Sequence, residues 1–171
     1  KFREVLETEY LGRKLTDGPA PAATGMRDHV GVFPQKDGRN YVGAAPTVGR
    51  LSGERLLALA DLAEAAGSDR VHLTADQKIV VLNVATENVD ALAAGLSGID
   101  LEVYPSAFRR STMACTGVEF CKLAITNTKD RATALVGELE TRFPENTLPL
   151  AVHVNGCPNS CARIQVADIG L

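Results

Sequence analysis

Two hydrophobic periods alternate along the chain from residue 40 onward. A strand is expected around Asn40–Val48, its alternation blurred by glycines and by Pro46, after an extended entry through "DHVGVFPQKDGR". Leu56, Leu59, Ala60 and Ala63 then recur at helical spacing behind Ser52, which suits an N-cap, and ahead of Gly67, which suits the position after a helix terminus. This predicts a helix over Glu54–Ala66. "RVHLT" and "KIVVLNV" flank the short "ADQ" in the pattern of a hairpin. Thr86 is placed to cap a second helix with Val89, Leu92, Ala93 and Leu96 on its buried face, and "DLEVY" after Gly98 reads as a last strand.

Residues 40–104 therefore read β-α-β-β-α-β, the ferredoxin-like split motif in which two helices cover one face of an antiparallel sheet. The fold class is α+β, and the motif hosts many unrelated functions, so it carries no chemistry by itself. From Pro105 the order changes to a cysteine loop, a helix, a strand and a second cysteine loop. The helix runs from a Thr128 cap to Phe143, with Ala132, Leu135, Val136, Leu139 and Phe143 on one stripe and Pro144 as its stop. The strand "LAVHV" leads directly into "NGCPNSC". Residues 1–13 have helix-friendly charges but little periodicity, and "LTDGPAPAATG" (15–25) reads as a linker. The expected organisation is an N-terminal segment and linker (1–25), a ferredoxin-like half-domain (26–104), and a second domain (105–171). The chain opens without Met and stops just after a motif, so it is expected to be a piece of a longer protein, its second domain incomplete at the C-terminus.

Charge and composition narrow the function. A net charge of -3 gives no general basic field for nucleic acid, and 45% hydrophobic with 23% charged residues is an ordinary globular balance. No run approaches the ~20 apolar residues of a membrane span, and "KFREVLETEY" lacks a signal-peptide core. The expectation is a cytoplasmic protein whose thiols stay reduced.

All four cysteines fall in two tight pairs, Cys115/Cys121 and Cys157/Cys161. Zinc takes four thiolates tetrahedrally, and the three-residue gap of the second pair suits it, but the five-residue gap of the first does not. Buried disulfides or free core thiols are further alternatives. A 4Fe-4S cubane needs four thiolates on loops whose backbone N–H groups can point at sulfur. Gly117 and Gly156 permit close backbone approach, and Pro158 stands where a first helical residue would aim a helix N-terminus at the site.

"ACTGVEFCKLAI" with "NGCPNSCARIQVADIG" resembles the paired signature, C-x5-C then C-x3-C, of the siroheme-containing ferredoxin-dependent sulfite and nitrite reductases. "DHVGVFPQKDGRNYVGAAPTVGR" and "LTADQKIVVLNV" look like that family's second ferredoxin-like half and the hairpin leading toward its cofactor, so the resemblance covers about residues 28–171. It implies a 4Fe-4S cluster held by Cys115, Cys121, Cys157 and Cys161. Cys161 would also be the axial ligand of siroheme and bridge the two groups. It further implies Gln77 at the siroheme. A cofactor rich in carboxylates calls for cations and polar donors, for which Arg109, Arg110, Lys122 and Arg163 are candidates, each weighed against a solvated side chain. Asn159, between two ligands, is a candidate for bonding near the cluster, weighed against a local turn bond. His72 and His153, in strands with apolar neighbours, are expected in the core rather than as ligands.

The implied activity is the six-electron reduction of sulfite to sulfide with ferredoxin or a similar donor. Nitrite to ammonia is the near alternative, and the cysteine motifs do not separate the two. The basic residues that grip the substrate anion would come largely from a first half of the same protein. A related oxygenase acting on a corrinoid precursor and a zinc-stapled structural module remain as readings from other classes.

Overall fold

The computed structural model describes residues 1–19 and 28–171. The linker expected over 15–25 thus falls partly, and the boundary at 25/26 wholly, outside the described residues. Helix α1 (Phe2–Val5) continues as a wider helical turn over Leu6–Leu11, and neither buries a residue.

The split motif is present. Strands β2 (Asn40–Pro46), β3 (Val71–Leu73), β4 (Ile79–Val84) and β5 (Leu101–Glu102) are joined by helices α2 (Gly53–Ala65) and α3 (Val89–Gly98). The sheet runs β2-β4-β3 with β5 on the other edge of β2, every pair antiparallel. Both helices share one face, because Leu59 and Ala63 of α2 and Leu92 and Leu96 of α3 join Val42, Ala44, Ile79 and Val81 in a single core. Where Gly95 sits, an added Cβ would lie 2.4 Å from Leu62 Cδ2, so the two helices meet at close range.

Several local expectations shift. The extended entry is a true strand, β1 (Gly31–Pro34), which forms a hairpin with Asn40–Gly43 and shares the β2 edge with β5. Strand β2 ends at Pro46, where Val48 (φ 48°) and Gly49 (φ 69°) turn the chain sharply. Ser52 does cap α2, accepting from Arg55 N at 3.2 Å. The buried stripe of α2 is rotated from the expected one: Leu59, Leu62, Ala63 and Ala66 face the core, while Leu56 is 48% exposed. Thr86 heads a short 3-10 turn, so α3 starts at Val89 without a side-chain cap, and the Thr86 hydroxyl accepts from Asn40 Nδ2.

The second region contains α4 (Ala107–Ser111), β6 (Thr112–Ala114), α5 (Lys129–Arg142), β7 (Val152–Val154) and β8 (Ile169–Gly170). Strands β6, β7 and β8 make a parallel sheet. α5 packs Ala132 against Ala114, Val154 and Val48. Val48 thereby plugs the first region into the second, which explains the tight turn that carries it. Phe143, expected on the stripe of α5, is 55% exposed just past the helix end. Among the described residues no helix is long and apolar enough to cross a membrane.

Candidate functional site

The two cysteine loops leave the same end of the parallel sheet. Cys115 N–H still bonds to Val154 C=O at 3.0 Å, as the last rung between β6 and β7, and the loops then diverge. They are tied together again by Ile125 N–H on Gly156 C=O at 2.8 Å, while Val118 N–H on Thr126 C=O closes the first loop on itself. All four cysteines line one cavity of about 460 Å³, with Lys122 and Asn155 on its wall. Cys115, Cys121 and Cys157 are half-buried free thiols, and Cys161 is exposed. Gly156 N–H points at Cys115 Sγ from the opposite loop, at 3.2 Å.

Glycine is required at two points of this frame. Gly117 adopts φ 72°, and a Cβ there would stand 2.5 Å from Thr128 Oγ1. That hydroxyl is committed to Cys115 C=O at 2.6 Å, so it cannot give way cheaply. At Gly156 a Cβ would press on Ala124, Thr126 and Thr128 together, each at 3.2 Å. The expected helix behind Pro158 is not formed. Residues 157–162 are turns, with Ser160 and Arg163 both left-handed, and Asn155 holds the loop instead: its Oδ1 accepts from Ala162 N at 2.8 Å and its Nδ2 reaches Ser160 Oγ at 3.3 Å. Asn155 carries little that marks it in the sequence. Its only signal there is an amide immediately before a glycine and a cysteine, which is ordinary turn chemistry.

The remaining candidates are placed as follows. Gln77, left-handed at the hairpin tip (φ 58°), spends its amide on the backbone of Ala114: Nε2 donates to the carbonyl at 2.7 Å and Oε1 accepts from the N–H at 3.3 Å. It braces the residue before Cys115. A Cβ on Gly49 would meet Gln77 Cβ at 2.6 Å, so the tight turn after β2 also makes room for this side chain. Arg109 pairs with Glu140 and Asp100 and donates to Thr47 Oγ1 at 3.0 Å. Arg110 clamps Asp28 at 2.6 and 2.7 Å and donates to Val30 C=O. Both arginines are thus engaged at the seam between the two regions rather than on the cysteine cavity. Arg163 pairs with Asp76 at the hairpin tip and lies 3.8 Å from Met113 Sδ. Lys122 lines the cavity, and Asn159 is exposed. His153 is buried as expected, its Nδ1 on Arg163 C=O at 3.1 Å. His72 is exposed rather than in the core, on β3, which is an edge strand of its sheet.

Behind the first loop, Lys129 Nζ donates to the carbonyls of Val48 and Ala114, the latter at 2.8 Å, with Gln77 Oε1 at 3.5 Å. Arg50, on the turn after β2, pairs with Glu119 of the first cysteine loop and with Asp130 of α5. The frame of the cavity is therefore fastened to the ferredoxin-like half at several points.

Residues 33–98 match the model of the nitrite/sulfite reductase ferredoxin-like half domain, and residues 106–171 match that of the nitrite and sulphite reductase 4Fe-4S domain. The chain belongs to the nitrite and sulfite reductase family. Among relatives of this family, the sulfite reductase (ferredoxin) 1 of Mycolicibacterium paratuberculosis is 55% identical over 99% of this chain and 32% of its own length. The assimilatory ferredoxin-dependent nitrite reductase of Haloferax mediterranei is 39% identical over 100% of this chain and 32% of its own. The solved structure of the Mycobacterium tuberculosis NirA protein superposes with a TM-score of 0.82 at 53% identity, covering 98% of this chain and 32% of that one. Dissimilatory sulfite reductase I, at 19% identity and a TM-score of 0.59 over 77% of this chain and 32% of its own, shares the fold. The chain thus spans about a third of the length of the family members it matches.

Proposed function

We propose that this chain is the cofactor-bearing part of a ferredoxin-dependent sulfite reductase, in which Cys115, Cys121, Cys157 and Cys161 would hold a 4Fe-4S cluster and Cys161 would also hold siroheme. The observation that carries the reading is the convergence of all four thiols on one cavity. A cavity of about 460 Å³ is many times the ~30 Å³ share of one water, a volume that suits a polynuclear group. The donors fit as well: soft thiolates suit iron-sulfide, and the Gly156 N–H on Cys115 Sγ is the kind of backbone donor that stabilises thiolate charge.

When bound, the cluster and siroheme would supply the electrons and the iron at which sulfite is reduced to sulfide. The chain's own residues hold and orient them. Three half-buried thiols sit inside the frame, and the exposed Cys161 stands at its rim, where one sulfur can face a second group. The division of labour follows the regions proposed from the sequence, with 26–104 as the bracing half and 105–171 as the ligand domain. Gln77 acts in this reading through the Ala114 backbone, and Arg163, two residues after Cys161, and Asn159, between Cys157 and Cys161, would meet the siroheme periphery. Arg109 serves the seam.

Sulfite is preferred to nitrite because relatives named sulfite reductase (ferredoxin) reach 54–55% identity, against 37–39% for the nitrite reductases that match the whole chain. The same names support ferredoxin as donor, and the thiol-rich site suits a cytoplasmic parent protein. The test is the full-length parent: iron and acid-labile sulfide content, its visible spectrum, and oxidation of reduced ferredoxin with sulfite or nitrite. Tetrapyrrole bands with faster turnover of sulfite are expected. A colourless zinc protein would remove the reading, and faster nitrite turnover would reverse the substrate. Cys161→Ser is expected to abolish magnetic coupling between cluster and siroheme in paramagnetic resonance, whereas Cys115→Ser loses cluster iron first.

A further inference from the structure

The first cysteine loop is held from behind by a lysine. Lys129 opens α5, and its ammonium finds three acceptors from three separate segments: the Val48 carbonyl in the turn after β2, the Ala114 carbonyl just before Cys115, and Gln77 Oε1 at the hairpin tip. Three acceptors match the three N–H donors of an ammonium group. Lys129 makes no ion pair within 4 Å among the described residues, although acids are available nearby on Asp130 and Glu119, which bind Arg50 instead. Its positive charge is thus satisfied by hydrogen bonds but not neutralised by a carboxylate, and it lies directly behind the peptide that carries the first thiol.

We propose that Lys129 is a positioning and potential-setting residue of the cluster, clamping the Cys115 segment to the ferredoxin-like half and placing an uncompensated positive charge beside it. The inference rests on the cluster reading above. A 4Fe-4S cluster gains one negative charge when it accepts one electron, and a fixed cation at short range in a partly desolvated setting stabilises the reduced form more than the oxidised one. Lys129 therefore raises the cluster's reduction potential, which makes the electron easier to accept from a weak donor. The clamp also accounts for Gly49 and Gln77, whose close packing delivers Gln77 Oε1 to the ammonium.

The experiment uses the full-length parent and its Lys129→Gln, Lys129→Arg and Lys129→Met variants, with reductive titration of the cluster followed by paramagnetic resonance, and iron release to a chelator as a second readout. Lys129→Gln retains donors without charge and is expected to hold its iron while its midpoint moves to more negative potential. Lys129→Arg is expected to stay near the parent value, and Lys129→Met to shift as Gln does and to lose iron several-fold faster. Midpoints unchanged in Gln and Met, with iron release also unchanged, would overturn the proposal while leaving the cluster reading intact. A parent protein without iron or acid-labile sulfide would overturn the cluster reading, and this inference with it.

Discussion

Single side chains decide how much latitude the cavity has. Gly117 is the sharpest case, because its left-handed φ of 72° and the 2.5 Å approach to Thr128 Oγ1 penalise any side chain by two independent routes. Gly117→Ala is expected to lose about 1–3 kcal/mol of stability in the parent protein, measurable by denaturant titration, and to release iron faster. An unchanged midpoint would show that Thr128 can abandon Cys115 C=O at no cost. Lys78 poses an electrostatic question. It is 2% exposed, lines a separate cavity of about 270 Å³ with Asp28, Asp76 and Arg110, and burial pushes its pKa down to about 8 in spite of the two carboxylates. A cation with a depressed pKa is bound to its proton more weakly in the folded state, so stability should rise with pH between about 8 and the ordinary lysine value near 10.4, by about 3 kcal/mol in the limit. Subtracting the pH profile of Lys78→Met isolates that rise. Parallel profiles would mean that the ammonium is fully solvated through its cavity.

At the scale of elements, the hydrophobic period located the helices and gave the buried face of α3 (Val89, Leu92, Ala93 and Leu96) but misjudged the rotation of α2. Leu56 and Leu59 both fit the apolar stripe of α2, yet only Leu59 reaches the core, because α2 must also offer Leu62 to the close approach of α3 at Gly95. Leu96→Ala, at a fully buried position, is expected to cost about 2–5 kcal/mol, whereas Leu56→Ala should stay within about 0.5 kcal/mol. Denaturation midpoints of the two variants check the assignment, and equal losses would restore the stripe read from sequence. Strand β1 escaped the sequence reading because four residues ending in proline carry little alternation, and β6 escaped because a three-residue buried parallel strand has none. The cysteine pairs were legible since their chemistry is carried by spacing. The turn that replaces the expected helix after Pro158 was not, because Asn155 fixes it by side-chain bonds that compete with the helix.

For the whole molecule, the question is what holds the ligand domain to the ferredoxin-like half, and here the sequence was least legible. Arg109 and Arg110 looked like free cations for an anionic cofactor, but their partners Thr47, Asp28 and Val30 lie 62 to 82 residues away in the chain, a pairing that no local pattern announces. The Arg110–Asp28 clamp gives the seam a pH signature. Burial alone would raise the Asp28 carboxyl, yet the Arg110 guanidinium and the Val30 N–H outweigh it and hold the group below its ordinary value. Glu140 is lowered in the same way, burial opposing and Arg109 and Ser106 prevailing. A carboxylate with a depressed folded pKa contributes stability that is complete above its ordinary value near 3.9 and is lost as pH falls through the lower folded value. Asp28→Asn keeps the shape and removes the charge from a clamp whose two side chains are 13% and 27% exposed, so about 2 kcal/mol should be lost at pH 7. The deficit should begin to shrink as pH falls below about 4, where Asp28 of the unfolded chain takes up a proton before that of the folded one. Urea titrations of parent and variant from pH 3 to 7 read this directly, and a deficit that stayed constant to pH 3 would show that the clamp acts by shape and not by charge.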